Sequence, residues 1–422
     1  MAATGDSLTL EWQASSLLHF TSLEPSLYST FTIEAAHTSR YLVFSAPHTF
    51  HCPFFFRSNL IQHFTQLVMS TADKPTLRWG IVATGFISSW FAADLLVERA
   101  DAKANHVIQA VASSSLEKGK AFVAKHLPGT SPSVYGSYQE AYTDPQVDII
   151  YIGTPHSFHK QNCLDAIAHG KHILCEKAFT LNAREASEVL AAADAKGVFV
   201  MEAMWTRFFP LVLSLQDLLH KQKAIGSIQR VICDFSLEQG LDKLGPDSRL
   251  KNPALGAGTL LDMGIYPLTW TLLGLEAPLD GGAALEKPEV VAAQSLKDGV
   301  DVATSIILKY PDGRQGIATT NASFRSIPPC CRIEGTKGTI LVNGVAPQPN
   351  NFVLVTPDGG EEKYEFERVG KGFYWEADAV ALDIAAGRKQ NALMPWSETL
   401  RVMELMDEVR RQGGARFPQD EH

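Results

Sequence analysis

Residues 77–88 read LRWGIVATGFIS: a short apolar run, a turn of small residues and the beginning of a helical pattern. A strand that passes through such a turn into a helix N-terminus directs backbone N–H groups and the positive end of the helix dipole to one point. This arrangement favours the binding of a phosphate group. Ala83, Gly85 and Ser88 stand at the three positions of the G-x-G-x-x-G fingerprint, so only the middle glycine is present. The alternative is an ordinary turn between a strand and a helix.

Short apolar strands alternate with helical patterns from residue 77 to about residue 204. Strands are predicted at 77–83, 107–113, 147–152, 171–175 and 198–201, with helices at 86–97, 116–127, 158–169 and 183–196. This alternation indicates a doubly wound, parallel α/β sheet of the Rossmann type. In such a sheet the turn at 83–88 lies at the edge where ligands bind.

Beyond about residue 205 the strand-like runs become longer and alternate apolar with polar residues. Strands are predicted at 228–237, 302–309, 316–323, 332–334 and 339–342, with a hairpin turn at Gly335–Gly338. An amphipathic helix is predicted at 396–412, ending at Gly413 and Gly414. The pattern predicts a second α/β domain with a large, open, mostly antiparallel sheet, whose uncovered face or edge favours association with a second copy.

A chain of 422 residues is long enough for two domains. We predict a nucleotide-binding domain at 76–204 and a substrate-binding and dimerisation domain at 205–422. Residues 1–68 lack sustained periodicity and carry two basic residues against four acidic ones, which is unlike a mitochondrial transit peptide. Residues 1–75 are therefore predicted to be a disordered arm or a gene-model extension, with the functional protein beginning at Met69.

The net charge and the cysteine spacing argue against several kinds of partner and site. A formal net charge of −9 at pH 7 argues against nucleic acid or anionic membranes as the main partner. There is no run of about 18 apolar residues, so no membrane-spanning helix is predicted. The six cysteines form no C-x-x-C pair and lie beside no metal-spaced histidines. We therefore predict free thiols, no metal site and a cytoplasmic location.

The second predicted strand ends in Ser113, Ser114 and Ser115, with Lys118 just beyond. A site for NAD normally places Asp or Glu here to bind the ribose hydroxyls, and that acid would repel a 2′-phosphate. Hydroxyls and a nearby ammonium suit the phosphate, so NADP is the predicted cofactor. The alternative is that Ser115 only caps the next helix. The first turn is predicted to bind the dinucleotide through Ala83, Thr84, Gly85, Phe86 and Ile87.

Two further strands end in polar segments. Gly153-Thr154-Pro155-His156 follows one buried strand, and Glu176-Lys177 follows the strand KHILC. Because ligands bind at the carboxyl ends of such strands, both segments are predicted to contact the cofactor or substrate. An ammonium at Lys177 beside a nicotinamide would stabilise a developing alkoxide or lower a neighbouring pKa. The alternatives are a surface lysine and, for His156 and His159, polar loop or helix-cap residues.

Residues 256–270, GAGTLLDMGIYPLTW, place an acid and a phenol four residues apart. On a helix Asp262 and Tyr266 would share a face. Pro267 lacks the N–H that would bond the Met263 carbonyl, which predicts a kinked helix with a spare carbonyl.

The segment Trp205-Thr206-Arg207-Phe208 lies at the predicted domain junction. An aromatic wall there would suit a nicotinamide or a sugar ring, and ordinary interdomain core is the alternative. Trp205 and Arg207 are therefore placed with Glu176 and Lys177 among the predicted cofactor contacts.

Together these motifs resemble the glucose–fructose oxidoreductase, inositol dehydrogenase and rhizopine-catabolism (Gfo/Idh/MocA) superfamily. Within it the chain is similar to the branch of dimeric dihydrodiol dehydrogenases and NADP-dependent D-xylose 1-dehydrogenases. The resemblance leaves residues 1–68 unaccounted for and covers essentially all of residues 77–420. It is carried by RWGIVATGFIS, YGSYQEAYTDPQVDIIYIGTPH, KHILCEKAFT, VFVMEAMWTRFFP, GTLLDMGIYPLTW, IEGTKGTI and FPQD.

The resemblance implies roles for individual residues. Lys177 corresponds to the lysine of the family's Glu-Lys-Pro motif, Tyr266 to the catalytic tyrosine and Asp262 to the acid one turn before it. Trp205 and Phe235 correspond to aromatic residues that line the substrate pocket. Ala178 departs from the motif by replacing its proline, and the form Glu-Lys-Ala-Phe-Thr is similar to that of fungal D-xylose dehydrogenases.

The activity implied by the resemblance is oxidation of a sugar's anomeric hydroxyl by NADP⁺, first of all D-xylose to its 1,5-lactone. In this hypothesis Tyr266 takes the hydroxyl proton, Lys177 lowers the pKa of Tyr266 and stabilises the alkoxide, and Asp262 orients the substrate or the pair. The implied partner is a small-molecule substrate, a sugar or a diol. A homodimer through the C-terminal sheet is implied as well. The alternatives are a trans-dihydrodiol dehydrogenase, another sugar or polyol dehydrogenase, and a non-catalytic NADP-sensing regulator. The loop at Gln239–Asn252 is a candidate for specificity, but its composition carries no readable code.

Overall fold

The computed structural model describes residues 74–278 and 286–421, together with an antiparallel pair of two-residue strands, His19–Phe20 and Phe31–Thr32. Contacts within the chain separate Met1–Asp73 from Lys74–His422. Apart from that pair and residues 74–75, the predicted N-terminal extension lies outside the described residues. Its disorder and a functional start at Met69 therefore stay predictions, as do the domain boundaries.

The first sheet is parallel and doubly wound, as predicted. Within the described residues its strands are β1 (Thr76–Val82), β2 (Asn105–Ala112), β3 (Ser133–Tyr135), β4 (Ile149–Ile152), β5 (His172–Glu176) and β6 (Val200–Ala203). Across the sheet they are ordered β3-β2-β1-β4-β5-β6. All four residues of β4 are buried, because helices cover both faces of the sheet. The accompanying helices are α1 (Phe86–Leu95), α2 (Leu116–His126), α3 (Tyr138–Thr143), α4 (His159–Ala168) and α5 (Ala183–Lys196).

A short helix, α6 (Pro210–Gln216), leads from the first sheet to the second, which is the predicted large, mostly antiparallel sheet. Its strand order is β8-β9-β10-β7-β11-β12-β13-β14, and only β7 and β10 pair in parallel among the described strands. Gly335 pairs with Gly338, which confirms the predicted hairpin turn. The strands are β7 (Ile228–Asp234), β8 (Glu289–Lys297), β9 (Val300–Lys309), β10 (Gln315–Asn321), β11 (Cys331–Gly335), β12 (Gly338–Val345), β13 (Gln348–Val355) and β14 (Glu361–Glu365).

Three longer helices lie in the part of the chain after residue 260. They are α7 (Ile265–Leu275), which packs on β7 and β10, α8 (Phe373–Ala385), and α9 (Trp396–Gly413), which packs on β8. The helix predicted at 396–412 is therefore confirmed, with Gly414 in the left-handed conformation at its end.

The N-terminus of helix α8 is held by a carboxylate from helix α1. Asp94, near the end of α1, accepts hydrogen bonds from the backbone N–H groups of Lys371 (3.0 Å), Gly372 (2.6 Å) and Phe373 (2.9 Å). A carboxylate at a helix N-terminus satisfies N–H groups that have no intrahelical partner and complements the helix dipole. Phe373 is thereby held against the residues that form the candidate site.

The cysteines of the described residues are free thiols, and all five are buried. Cys52 lies outside the described residues. Over the ranges 74–278 and 286–421, no helix combines the length and apolarity needed to cross a membrane.

Candidate active site

The turn after β1 lies at the point where the strand order of the first sheet reverses. In open parallel sheets, ligands bind in the crevice at this position. Gly85 begins α1 with no side chain capping the helix N-terminus within the described part of the chain. Gly153, at the end of β4, lies so close to α1 that a Cβ atom on it would collide with the Ser88 side chain. A Cβ atom on Gly85 would meet only the Gly153 carbonyl oxygen, at 4.0 Å, so the backbone leaves room for a ligand to approach the open helix end.

The Ser88 hydroxyl lies beside this turn. Its oxygen is buried against Gly153 and has no hydrogen-bond partner among the described residues. A buried hydroxyl without a partner is costly unless a ligand or water satisfies it. The uncapped helix end fits the pyrophosphate of a dinucleotide. Of the other predicted residues in this turn, Phe86 is 67% exposed and Ile87 packs against the core.

The predicted 2′-phosphate residues form one cluster at the end of β2. The hydroxyls of Thr84 and Ser113 are 2.9 Å apart, and Lys118 Nζ donates to the Ser114 hydroxyl at 3.2 Å. Ser115 accepts a hydrogen bond from the Lys118 backbone N–H at 3.3 Å and caps α2. The capping alternative therefore applies to Ser115, while Ser114 and the Lys118 ammonium face solvent beside the crevice.

The two histidines of the segment after β4 have different positions. His159 lies between the carbonyls of Thr154 (2.8 Å) and Ala178 (3.0 Å), so it ties the loop after β4 to the loop after β5. His156 contacts the Gly256 carbonyl at 3.1 Å and so joins the first sheet to the loop before α7. Burial lowers the pKa of His156 to about 3, and the nearby His159 acts in the same direction. His156 is thus a neutral imidazole at physiological pH.

Lys177 and Asp262 meet, although 85 residues separate them. Lys177 Nζ donates to the Asp262 carbonyl at 2.7 Å and lies 3.7 Å from Oδ1 of the same residue. Leu260–Gly264 form a π turn, in which the Ile265 N–H bonds the Leu260 carbonyl five residues back. Pro267 lies in the α-helix that begins at Ile265, so its missing N–H concerns the predicted Met263 carbonyl. The Asp262 carbonyl, within the π turn, is the one that accepts the Lys177 ammonium.

Tyr266 is buried beneath this pair. Its hydroxyl accepts a hydrogen bond from Trp205 Nε1 at 2.8 Å, and Lys177 Nζ lies 5.0 Å from the centre of its ring. Burial raises the pKa of Tyr266 well above its usual range, and the nearby Glu176 acts in the same direction. In the protein alone, desolvation of the phenolate therefore outweighs any lowering of the Tyr266 pKa by Lys177, whose predicted effect stays a prediction.

Three aromatic side chains form one wall of the site. Phe235 meets Tyr266 edge to face, with 5.7 Å between ring centres. Trp205 stacks on Phe373 of α8 at 4.0 Å, so its indole is held by packing on one side and by the Tyr266 hydroxyl on the other. The structure thus brings together Trp205, Phe235 and Tyr266, the aromatic residues predicted for the substrate pocket.

Arg207 does not join this group. Its guanidinium is buried, pairs with Glu398 of α9 and donates to the Leu393 carbonyl at 3.5 Å. A buried guanidinium requires a carboxylate partner, and Glu398 supplies it from 191 residues away. The contacts therefore give Arg207 a structural role in place of the predicted cofactor contact.

Glu176 lies under the site and is not exposed to it. It accepts a hydrogen bond from the Tyr151 hydroxyl at 2.6 Å, and burial raises its pKa to about 7. Glu376 of α8, which sequence reasoning missed, is fully buried, and neither of its carboxylate oxygens has a partner among the described residues. Burial raises the pKa of Glu376 well above its usual range, and Glu176 adds to the effect.

The Asp262 carboxylate has two more neighbours that the sequence did not predict. Gln239 Nε2 donates to Oδ2 at 3.2 Å, and Arg249 Nη1 lies 3.4 Å from Oδ1. Burial alone would raise the pKa of Asp262, but the charges of Lys177 and Arg249 outweigh it and lower the pKa to about 2. Asp262 is therefore ionised at neutral pH. A cation, an anion and a phenol beside a dinucleotide crevice can move a proton and stabilise negative charge on a substrate oxygen.

Two segments of the chain match known domain families. Residues 77–204 match the family described as "Oxidoreductase family, NAD-binding Rossmann fold", and residues 214–341 match the "GFO/IDH/MocA C-terminal domain". The fold and these domains define an NAD(P)-dependent oxidoreductase that acts on CH–OH groups. The chain belongs to the Gfo/Idh/MocA oxidoreductase family, which confirms the resemblance drawn from its motifs.

Among similar proteins is the D-xylose 1-dehydrogenase (NADP(+)) of Hypocrea jecorina, 38% identical over 83% of this chain and 95% of the relative. The trans-1,2-dihydrobenzene-1,2-diol dehydrogenase of Sus scrofa is 34% identical over 82% of this chain and 99% of its own length. An aldose-aldose oxidoreductase of Caulobacter crescentus, solved with glycerol, has the same fold. Its TM-score is 0.67 at 21% identity, over 80% of this chain and 98% of that one.

Proposed function

We propose that the protein is an NADP-dependent dehydrogenase that oxidises the anomeric hydroxyl of an aldose, with D-xylose as substrate and its 1,5-lactone as product. The observation that carries the proposal is that Lys177, ionised Asp262 and Tyr266 lie together at the ligand-binding edge of the sheet. Lys177 directly follows β5, Asp262 lies in the π turn that leads into α7, and Tyr266 lies in the first turn of α7. The relative named D-xylose 1-dehydrogenase (NADP(+)) supports the choice of substrate.

The dinucleotide would be held by the turn at 83–87, the cluster at 113–118 and the segment at 153–156. NADP⁺, when bound, supplies the acceptor for the hydride that leaves C1. The protein's own residues manage the remaining charge. As the O–H bond breaks and the C=O bond forms, the Lys177 ammonium stabilises negative charge on the reacting oxygen. The Asp262 carbonyl holds the Lys177 ammonium in place.

Tyr266 exchanges the proton of the reacting hydroxyl in this proposal. Its burial keeps the phenol protonated in the protein alone, which suits donation to a carbonyl in the reductive direction. In the oxidative direction the phenolate must accept the proton, so alkaline pH favours oxidation. The N–H of Trp205 supports the phenolate form by donating to its oxygen.

A second candidate substrate is an aromatic trans-dihydrodiol. The wall formed by Trp205, Phe235 and Tyr266 suits an apolar ring, and the Sus scrofa relative is named for this activity. A non-catalytic regulator would have no chemical use for the convergence of Lys177, Asp262 and Tyr266, so that alternative is not favoured.

A substrate panel tests the proposed activity. D-Xylose, D-glucose and benzene trans-dihydrodiol are each offered with NADP⁺ and with NAD⁺, and formation of the reduced cofactor is followed by its absorbance. We expect D-xylose with NADP⁺ to give the highest kcat/KM. A higher value with the dihydrodiol would replace the aldose proposal by the second candidate, and no turnover with any pair would contradict both.

Lys118→Ala tests the preference for NADP. Removing a charge-assisted contact to the 2′-phosphate should raise the KM for NADP⁺ about 10-fold or more and leave the KM for NAD⁺ nearly unchanged. Lys120→Ala, which removes another exposed lysine from α2, serves as the matched control. Equal effects of Lys118→Ala on both cofactors would contradict a role in recognising the phosphate.

The homodimer also stays a prediction. Val291 and Ile307 are direct cross-strand partners on β8 and β9 and are 42% and 37% exposed, so they place apolar area on the outer sheet face. Self-association would remove this area from water. Sedimentation should then give a mass near twice the 46.1 kDa of one chain, and a monomer would contradict it.

A further inference from the structure

The loop between β7 and α7 brings two polar side chains to the candidate site. Gln239 Nε2 lies 3.2 Å from Asp262 Oδ2, and Arg249 Nη1 lies 3.4 Å from Oδ1. Both therefore contact the carboxylate whose other neighbour is the Lys177 ammonium. This loop contains Gln239–Asn252, the candidate specificity segment whose composition does not indicate a substrate.

Contacts to three other parts of the molecule hold this loop in place. The Gln239 backbone N–H donates to the Ala322 carbonyl at 2.9 Å, and Asp242 pairs with Lys297 of β8. Near its other end, the Gly256 carbonyl contacts His156 at 3.1 Å. Gln239 and Arg249 are thus carried by a segment with several fixed points, as a specificity site requires.

Exposure increases from the reacting centre towards the solvent. The side chain of Lys177 is 11% exposed, that of Asp262 18% and that of Arg249 54%. The 3.4 Å separation is long for a charge-assisted hydrogen bond, which is usually about 2.7–2.9 Å. Within the described residues, Asp262 is the only hydrogen-bond partner of the Arg249 guanidinium, a group with five N–H donors. Arg249 therefore has donors to offer at the mouth of the site.

The two sides of the site differ in chemistry. One side is the aromatic wall of Trp205, Phe235 and Tyr266, and the other carries the donors of Gln239 and Arg249 with the acceptor Asp262. An aldose ring has an apolar C–H face and a rim of hydroxyl groups, so it can use both sides. An aromatic trans-dihydrodiol has only two hydroxyls, and the reaction consumes one of them.

We propose that Gln239 and Arg249 are specificity-determining residues, which bind the hydroxyl groups of an aldose that do not react. They select polyhydroxylated substrates over aromatic dihydrodiols. This inference rests on the proposed function, because it assumes that the reacting carbon lies beside Lys177 and Tyr266.

Arg249→Ala and Gln239→Ala test the inference with D-xylose and benzene trans-dihydrodiol as paired substrates. We expect the kcat/KM for D-xylose to fall about 10- to 100-fold in Arg249→Ala and about 3- to 10-fold in Gln239→Ala, mainly through KM. The value for the dihydrodiol should stay within about threefold of the wild type. Arg249→Lys should recover part of the loss. Arg388→Ala is the matched control, since Arg388 is 55% exposed and pairs with an aspartate elsewhere.

The outcomes separate this inference from the proposed function. If the wild type oxidises D-xylose but neither variant changes the ratio of kcat/KM for D-xylose to kcat/KM for the dihydrodiol, the inference is overturned. The proposed function then still stands. If the wild type oxidises the dihydrodiol and does not oxidise D-xylose, both the inference and the proposed function are overturned. Equal losses for the two substrates, accompanied by a lower melting temperature, would show that the residues only maintain the fold of the loop and would also overturn the inference.

Discussion

Lys177→Met is expected to lower kcat by about 100- to 1,000-fold, because it removes the one ammonium held against the reacting oxygen. Methionine has a similar length and no charge, so it fills the same space without offering a hydrogen bond. The affinity for NADP should change little, since the turn at 83–87 and the cluster at 113–118 are untouched. Initial rates at saturating D-xylose, with NADP binding followed by tryptophan fluorescence, measure the two effects separately.

The matched control for Lys177→Met is Lys160→Met. Lys160 pairs with Glu188 at 2.5 Å and is 27% exposed, so the variant removes an ammonium from a partly buried ion pair outside the site. Its kcat should stay within about threefold of the wild type, as expected for a surface ion pair. A kcat of Lys177→Met within tenfold of the wild type would contradict the assignment of Lys177.

Tyr266→Phe is expected to lower kcat by about 100-fold or more and to change the pH profile. Burial raises the pKa of Tyr266, so the phenolate fraction, and with it the oxidation rate, should rise about tenfold per pH unit over the range below that pKa. Without the hydroxyl this dependence should disappear, and the Trp205 N–H should lose its acceptor. The measurement is kcat/KM for D-xylose from about pH 6 to pH 10, around the reference pKa of tyrosine.

Tyr310→Phe is the control for this second substitution. Tyr310 is another buried tyrosine, donates to Glu276 at 2.6 Å and has its pKa raised by burial, but it directly follows β9 and does not contact Lys177. Its pH profile should match that of the wild type. A pH dependence that survives in Tyr266→Phe would assign the proton transfer to another group.

Local patterns in the sequence predicted the fold well. The strand, turn and helix of residues 77–88 and the alternation after them indicated the parallel sheet, because burial on both faces demands continuous apolar strands. The hairpin turn at Gly335 and Gly338 and the helix from Trp396 were equally local. Each of these features depends on residues close together in the chain.

The candidate site was predicted in part. Lys177 follows a strand, so its position at the ligand-binding edge followed from the fold class. Asp262 and Tyr266 both lie beside Lys177, and a π turn, rather than a regular helix, presents the acid. Gln239 and Arg249 were missed, because the loop that carries them has no periodicity that would fix the direction of a side chain.

Two features of the structure escaped prediction for a shared reason. Arg207 pairs with Glu398 across 191 residues, and the Tyr266 phenol is buried beneath Trp205, Phe235 and the Lys177 ammonium. Charge pairing and desolvation depend on which distant groups surround a side chain. The identity of a residue and its position in a helix or strand do not indicate its charge partners or its desolvation.

By itself the sequence therefore determined the two sheets, the ligand-binding edge and the presence of Lys177, Asp262 and Tyr266, since strand and helix patterns are written in neighbouring residues. Only the tertiary structure decided that Lys177 bonds the Asp262 carbonyl, that Tyr266 is held as a phenol, and that Gln239 and Arg249 reach the same carboxylate. Each of these depends on burial and on contacts between distant segments. The turn at LRWGIVATGFIS marks the crevice, and contacts of Asp262 and Tyr266 with Lys177 and Trp205 set the electrostatics of the candidate site beside it.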